Sequence, residues 1–214
     1  SDLFGSPERL IIGQCRKMQE FAWVVATFVS DGGMNRFAEE SARAGIETFA
    51  IPERRFADTR IIRKLRRIIE DRKIDMVVSH DYKSSLVSWL ATRGLGTALV
   101  ACYHGVTSED AKVRLYNTLD SIILRRMLRV IADSQYTRDN LIARGISEKR
   151  ITIIPNAVDA STLSDDAPNR EPIGSRPIRL IAAGRFSREK GFDILLDALA
   201  LIKDSSPTFR LFLY

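Results

Sequence analysis

Two kinds of segment in this chain place chemically capable residues at the ends of apolar runs. The first is Ala183-Gly184-Arg185-Phe186-Ser187-Arg188-Glu189-Lys190-Gly191, between the apolar run Ile178 to Ala183 and an amphipathic stretch ending near Lys203. A loop at the carboxyl end of a parallel strand is where wound α/β folds hold ligands. The N–H groups that open the following helix favour anions. Arg185 and Lys190 add two cations there, and Gly184 and Gly191 let backbone come close, so the loop suits a diphosphate. The same residues also read as a solvated basic loop that caps a helix. The second kind is a polar residue directly after a strand: His80-Asp81, His104-Gly105 and Ser134. Asp81 and Ser134 each read equally as helix N-caps. His104 reads either as a ligand contact or as a satisfied histidine at a strand end.

Strands and helices alternate with short loops to position these residues. Ser6 is expected as the N-cap of a first helix, with Pro7 at its first position, and the helix runs to about Gln19. Strands are expected at Phe21 to Phe28, Ile46 to Ile51 (closed by Pro52), Asp75 to Ser79, Thr97 to Tyr103, Arg129 to Ala132 and Ile151 to Ile154. Between them, Asp31-Gly32-Gly33 turns into a helix that Gly45 ends. Further helices are expected at Arg60 to Lys73, Lys83 to Thr92, Ser108 to Leu128 and Gln135 to Ala143, the last stopped by Gly145. This alternation argues a doubly wound parallel α/β sheet over residues 1–155. Residues 156–177, rich in Ser, Asp, Pro and Asn, read as an interdomain linker. Residues 178–214 then supply one strand–helix–strand unit, the beginning of a second Rossmann-like domain. Because a wound domain opens on a strand and this chain opens in a loop, the expectation is a fragment lacking its first strand.

Composition narrows the partners. The net charge of +6 lies entirely in residues 1–154, with 25 basic against 19 acidic side chains; residues 155–214 hold eight of each. The front is expected to meet something anionic, or to use its surplus for solubility. Arg60, Arg63, Lys64, Arg66 and Arg67 surround one helix whose Ile/Leu stripe suits a core face. Peripheral contact with an anionic membrane would then rest on charge alone, and the same charge run also reads as a solvated face. Cys15 and Cys102 stand far apart in apolar contexts and read as reduced core residues. No apolar run reaches the ~18 residues of a spanning helix. The start has neither a basic leader nor an apolar core, and the expected location is cytoplasmic.

Four segments together resemble glycosyltransferase family 4. Gly184-Arg185 followed by Lys190-Gly191 is similar to its donor-phosphate loop. Ile131 to Leu141, with Ser134, is similar to its strand–Ser–helix element. Ile151 to Asp159, with Pro155-Asn156-Ala157-Val158-Asp159, resembles its crossover into the donor domain. His104-Gly105 resembles its His-Gly pair beside the reacting sugar. The crossover departs from the pattern: Ala157 stands where the family has glycine, which unsettles the role of Asn156.

The resemblance implies a GT-B fold of two Rossmann-like domains. It implies retaining transfer from a nucleoside diphosphate sugar to an acceptor hydroxyl of a glycan or lipid-linked acceptor, with no nucleic acid partner. His104 would then serve catalysis beside the donor sugar. Gly184, Arg185, Lys190, Gly191 and Ser134 would bind the donor phosphate, and His80 and Asp81 are acceptor-side candidates. No Asp-x-Asp pair stands out, so neither metal nor cofactor is expected. The family's pair of glutamates seven residues apart lies later in the donor domain, so these 214 residues alone are expected to be inactive. Two rivals stand beside this reading: a sugar-nucleotide epimerase of the same fold, and a non-catalytic truncated binding module.

Overall fold

The computed structural model describes residues 4–30, 33–53, 58–105, 119–157, 177–184, 186–203 and 208–214. The chain divides into two compact units, Ser1–Asp159 and Ala160–Tyr214. Arg185, most of residues 156–177 and the start of the helix expected at Ser108 lie outside the described residues.

The first unit opens on α1 (Ser6–Lys17), β1 (Val24–Ser30), α2 (Arg36–Arg43), β2 (Glu47–Glu53) and α3 (Arg60–Asp71). It continues through β3 (Met76–Ser79), α4 (Tyr82–Ala91), β4 (Ala98–Tyr103) and a helical segment at residues 119–124 (α5). It ends with β5 (Arg129–Ala132), α6 (Gln135–Ala143) and β6 (Ile151–Ile153). Every ladder is parallel: β1 pairs with β2, and β3, β4, β5 and β6 pair in that order. The parallel α/β class read from the alternation is the observed one.

Both faces of this sheet system are covered. On one core, Ile61, Leu65 and Ile69 of α3 meet Val87 and Ala91 of α4, with Ile51 from β2 and Val77 from β3 packed against them. The four-residue spacing of the α3 positions is what puts them on one stripe. A second core gathers Leu99 and Ala101 of β4, Val130 and Ala132 of β5, Leu124, Met127, Leu141 and Ile146. Leu99, Val100 and Ala101 are all buried, as befits a central strand with helices on both sides.

Several expected boundaries move, the helix expected to reach Leu128 ending at Leu124 among them, and three of the shifts have a visible cause. Gly5, not Ser6, is the N-cap of α1, because its backbone N–H donates to Glu8 Oε2 at 2.8 Å and Pro7 falls one position further in. The first strand begins at Val24 rather than Phe21. Trp23 Nε1 donates to the Met18 carbonyl at 2.8 Å, and the Phe21 and Trp23 rings meet edge to face, so this stretch turns before the strand starts. Finally, β2 runs through Pro52 to Glu53 instead of stopping before it. Among the described residues β2 pairs only with β1, and a proline's missing N–H is tolerated on such an edge.

Gly145 ends α6 as expected. Its φ is 79°, its N–H donates to the Ile142 carbonyl at 2.8 Å, and that of Ile146 returns to the Leu141 carbonyl at 3.0 Å. A Cβ there would stand 2.4 Å from Arg125 Nη2, so glycine also makes room for a neighbour.

The second unit holds β7 (Ile178–Ala182), a 3₁₀ turn at Arg188–Lys190, α7 (Phe192–Ile202) and β8 (Phe209–Leu213), with β7 and β8 parallel. It begins with the strand–helix–strand pattern that the sequence announces.

Candidate functional site

The carboxyl ends of β3, β4, β5 and β6 open onto one cleft. His80 follows β3, Tyr103 and His104 close β4, Asp133 follows β5, and Pro155 and Asn156 follow β6. Gln14 of α1 and Cys102 complete the wall.

Parallel strands bring two sequence-distant histidines together here. The rings of His80 and His104 stack with centroids 5.8 Å apart and planes 16° apart. His80 Nδ1 and His104 Nε2 are both buried without a hydrogen-bond partner among the described residues. Burial, helped by the neighbouring His104, pushes the His80 imidazole down to about 4, so His80 is neutral at physiological pH. A neutral imidazole carries one donor and one acceptor nitrogen, both usable by a hydroxyl.

Asp81 has φ 151°, a backbone region that β-carbon-bearing residues rarely adopt. Its surroundings hold it there. Asp81 Oδ1 accepts from the Ser84 N–H at 2.7 Å as N-cap of α4, and its carbonyl accepts from Ser84 Oγ at 3.1 Å and Ser85 Oγ at 2.7 Å. Burial nevertheless raises its carboxyl above the usual range. Strain of this kind, overdetermined by local bonds, concentrates at sites that position a ligand. Here it aims the residue just before it, His80, whose N–H donates to Ser84 Oγ at 3.0 Å.

Ser134 is the N-cap of α6: its Oγ accepts from the Thr137 N–H at 3.2 Å. Asp133 Oδ1 accepts from Ser134 Oγ at 3.0 Å and from Thr137 Oγ1 at 2.6 Å, which fixes the loop where it lines the cleft.

Behind His104 lies a network that the sequence did not disclose. Arg144 Nη1 donates to the Tyr103 hydroxyl, Nη2 to Asp120 Oδ2 at 3.2 Å and Nε to Ser121 Oγ at 3.0 Å. Its guanidinium also lies over the Tyr103 ring, at 5.2 Å from the centroid. Tyr103 is thus clamped one residue before His104. Burial raises the Asp120 carboxyl against the opposing pull of Arg144. Burial alone lifts the Cys102 thiol to about 11, so it stays a thiol; Cys15 is buried too, and both cysteines are free. At the end of β2, Glu53 Oε2 pairs with Lys83 Nζ, while Oε1 is buried without a partner among the described residues. Only the position of Glu53 at a strand's carboxyl end could have flagged it.

In the second unit, Gly191 has φ 63° and stands as N-cap of α7. The Lys190 stem runs alongside Gly184: a Cβ on Gly184 would meet Lys190 Cγ and Cδ at 3.7 Å. The Phe186 and Phe192 rings meet beside this loop, tilted by 30° with centroids 4.9 Å apart. Gly184, Lys190 and Gly191 therefore gather at a helix N-terminus, an arrangement that attracts anions. Arg185 lies outside the described residues.

Comparison with known proteins gives a consistent picture. The family model of Glycosyltransferase Family 4 matches residues 8–162. A D-inositol 3-phosphate glycosyltransferase of Actinosynnema mirum is 28% identical over 185 residues, covering 78% of this chain and 43% of that protein. Among solved structures, Anabaena Alr3699/HepE in complex with UDP and glucose superposes with a TM-score of 0.74 at 19% identity, covering 100% of this chain and 58% of that one. A UDP-N-acetylglucosamine 2-epimerase shares the fold more loosely, with a TM-score of 0.58 at 15% identity over 97% of this chain and 59% of that one. The chain thus spans less than two thirds of the length of the relatives it matches.

Proposed function

The chain belongs to glycosyltransferase family 4, and from that premise we propose that its full-length protein transfers a sugar from a nucleoside diphosphate sugar to an acceptor hydroxyl with retention. The observation that carries this reading is His104, at the carboxyl end of the central strand β4, with a buried, unpartnered Nε2 on the wall of the cleft.

The chemical demand of the reaction is negative charge growing on the departing diphosphate. Fixed cations and backbone N–H groups meet that demand without reorganising during the step. Lys190, Arg185 and the N-terminus of α7 after Gly191 supply them in this proposal, while Gly184 lets the phosphate approach the backbone. His104 contacts the donor sugar. Ser134 holds the loop of Asp133 as a cap, and its backbone N–H is the group this proposal assigns to the donor phosphate. His80 and Asp81 form the acceptor side, where Asp81 acts through the bonds that aim His80. The acceptor is a glycan or a lipid-linked molecule.

Membrane contact, in this reading, is electrostatic only. Ile61, Leu65 and Ile69 of α3 are spent on the core, leaving Arg63, Lys64 and Arg67 exposed. Among the described residues no helix is long and apolar enough to cross a membrane.

The test is release of nucleoside diphosphate by the full-length protein from a panel of UDP-, GDP-, ADP- and dTDP-sugars, with the product's anomeric configuration read by NMR. Acceptor-dependent release with retained configuration supports the proposal. Formation of an epimerised nucleotide sugar instead supports the epimerase reading, and binding without turnover supports the non-catalytic module.

A further inference from the structure

Three successive connections reach the amino ends of neighbouring parallel strands: residues 92–97 before β4, 125–128 before β5 and 144–150 before β6. Arg144, which opens the last of them, is turned inward to Asp120. With Arg129 at the start of β5, the rest hold six basic residues, Arg93, Arg125, Arg126, Arg129, Lys149 and Arg150. Their single acidic residue, Glu148, is already paired with Arg138 of α6. All six basic residues are exposed, and none forms an ion pair among the described residues. The connections that lead into β1, β2 and β3, residues 18–23, 44–46 and 72–75, hold two basic and two acidic residues and are balanced.

The chain itself holds these cations in place. Arg125 Nη2 donates to the Arg144 carbonyl at 2.9 Å, Arg150 Nη1 to the Arg125 carbonyl at 2.6 Å and Arg129 Nη1 to the Leu128 carbonyl at 3.2 Å. Arg93 and Arg126 both lie over the Trp89 ring, 5.5 and 6.0 Å from its centroid. Bonds to carbonyls and to an aromatic face order a guanidinium without cancelling its charge. Ordered cations that repel one another across neighbouring connections are a standing demand for anions.

The layout selects the partner. Neighbouring strands stand about 4.8 Å apart, so the three connections form a broad band of separate charges. Such a band suits many anionic groups presented in a plane, as phosphodiester headgroups are. Leu128, 53% exposed, lies between Arg126 and Arg129 in the chain. A lipid surface accommodates that leucine, whereas a nucleic-acid backbone offers it only charge and water. Arg66 Nη1 donates to the Arg93 carbonyl at 2.9 Å, which joins the band to α3. The cleft opens at the opposite, carboxyl ends of the same strands, so contact here leaves it open.

We propose that the amino ends of β4, β5 and β6 form the face by which the protein lies on an anionic lipid surface. This deepens the electrostatic contact read from α3, and rests on it, by naming three other connections that carry most of the attraction.

The test is flotation of the full-length protein at ~10 mM ionic strength with vesicles of phosphatidylcholine, alone or mixed with phosphatidylglycerol. The parent protein is expected to float with the mixed vesicles only. Each arginine removed weakens binding about fivefold, so the triple variant Arg93→Gln, Arg126→Gln, Arg129→Gln loses about a hundredfold. Lysine at the same three positions keeps the charge and recovers most of the binding. Arg126→Glu alone, a reversal at one exposed side chain, weakens binding about 25-fold and tests the proposal without a triple change. Arg63→Gln, Lys64→Gln, Arg67→Gln on α3 removes the same charge with a smaller effect. Undiminished flotation of the folded glutamine variant or of Arg126→Glu overturns the proposal and leaves the α3 contact standing, as does a larger loss in the α3 variant. A parent protein that ignores the mixed vesicles overturns both. Equal flotation with phosphatidylcholine alone overturns the charge argument. Tighter binding to single-stranded RNA or to polyglutamate at the same ionic strength gives the band to a nucleic acid or an acidic protein and overturns the lipid assignment. Diphosphate release enters none of these outcomes, so the transferase reading fails separately.

Discussion

His80 and His104 stand 24 positions apart in the chain, yet their rings stack 5.8 Å centroid to centroid across the adjacent ends of β3 and β4. Parallel pairing, Met76 with Ala98 through Ser79 with Ala101, carries both to the same edge of the sheet, with His104 two residues beyond the position that the register sets opposite His80. Burial and the neighbouring His104 keep the His80 ring neutral, which suits it to a hydroxyl ligand.

That neutrality has a thermodynamic signature. The folded imidazole of His80 sits at about 4 while an unfolded histidine titrates near 6.5. Between these values the unfolded chain binds more protons, so stability rises with pH in this window and is lost as pH falls from about 6.5 towards 4. The loss is of order 3 kcal/mol. Burial raises Asp81 and Asp120, which have the opposite slope at the acid end and offset part of it. Urea unfolding at pH 7 and pH 4.5 is expected to show a smaller acid loss for His80→Phe than for the unsubstituted chain.

The clamp on Tyr103 predicts a second pH effect. Arg144→Met strips Asp120, whose side chain is 7% exposed, of its ion-pair partner. The cost at neutral pH is about 3 kcal/mol, the penalty of an uncompensated buried charge. With burial unopposed, the Asp120 carboxyl rises further, so the native variant gains a proton more readily than the unfolded one. Its deficit therefore shrinks as pH falls, and denaturant melts at pH 7 and pH 5 read that difference directly.

Gly191 is tested by Gly191→Ala. At φ 63° an added Cβ costs about 1 kcal/mol, and the α7 N-terminus loosens. Differential scanning calorimetry of the chain is expected to show the loss in the transition that includes α7. In the full-length protein the same change is expected to raise the KM for the donor more than it lowers kcat.

Much of the fold was legible because its signals are local. The α6 boundaries, Gln135 and Ala143, follow from a serine cap before them and Gly145 after. The α3 stripe repeats every turn, and four elements of the family pattern occur in order. What escaped was decided over distance. Trp23 bonding back to Met18 delays β1, and the edge position of β2 licenses Pro52 inside a strand. The Glu53–Lys83 pair spans 30 positions and the Tyr103–Arg144 contact 41, and neither has a spacing that a periodic reading can detect. The candidate histidines were recognisable singly from their places after strands. Their stacking was not, because register sets it.

Charge on α3 makes a separate prediction. Because its apolar stripe is consumed by the core, attachment to anionic liposomes is expected at ~10 mM ionic strength and to be lost near ~1 M, where screening acts within a few ångströms. Flotation retained at high salt shows an apolar anchor and contradicts the electrostatic account.

The central claim is that Lys190, Arg185 and His104 serve one sugar-transfer reaction. Its most direct test is acceptor-dependent release of nucleoside diphosphate by the full-length protein, compared with Lys190→Ala, Arg185→Ala and His104→Ala. The account predicts turnover in the parent protein and a fall in kcat of about tenfold or more in each variant, with folding intact. Undiminished turnover in all three, or no diphosphate release from any nucleotide sugar by the parent protein, contradicts it.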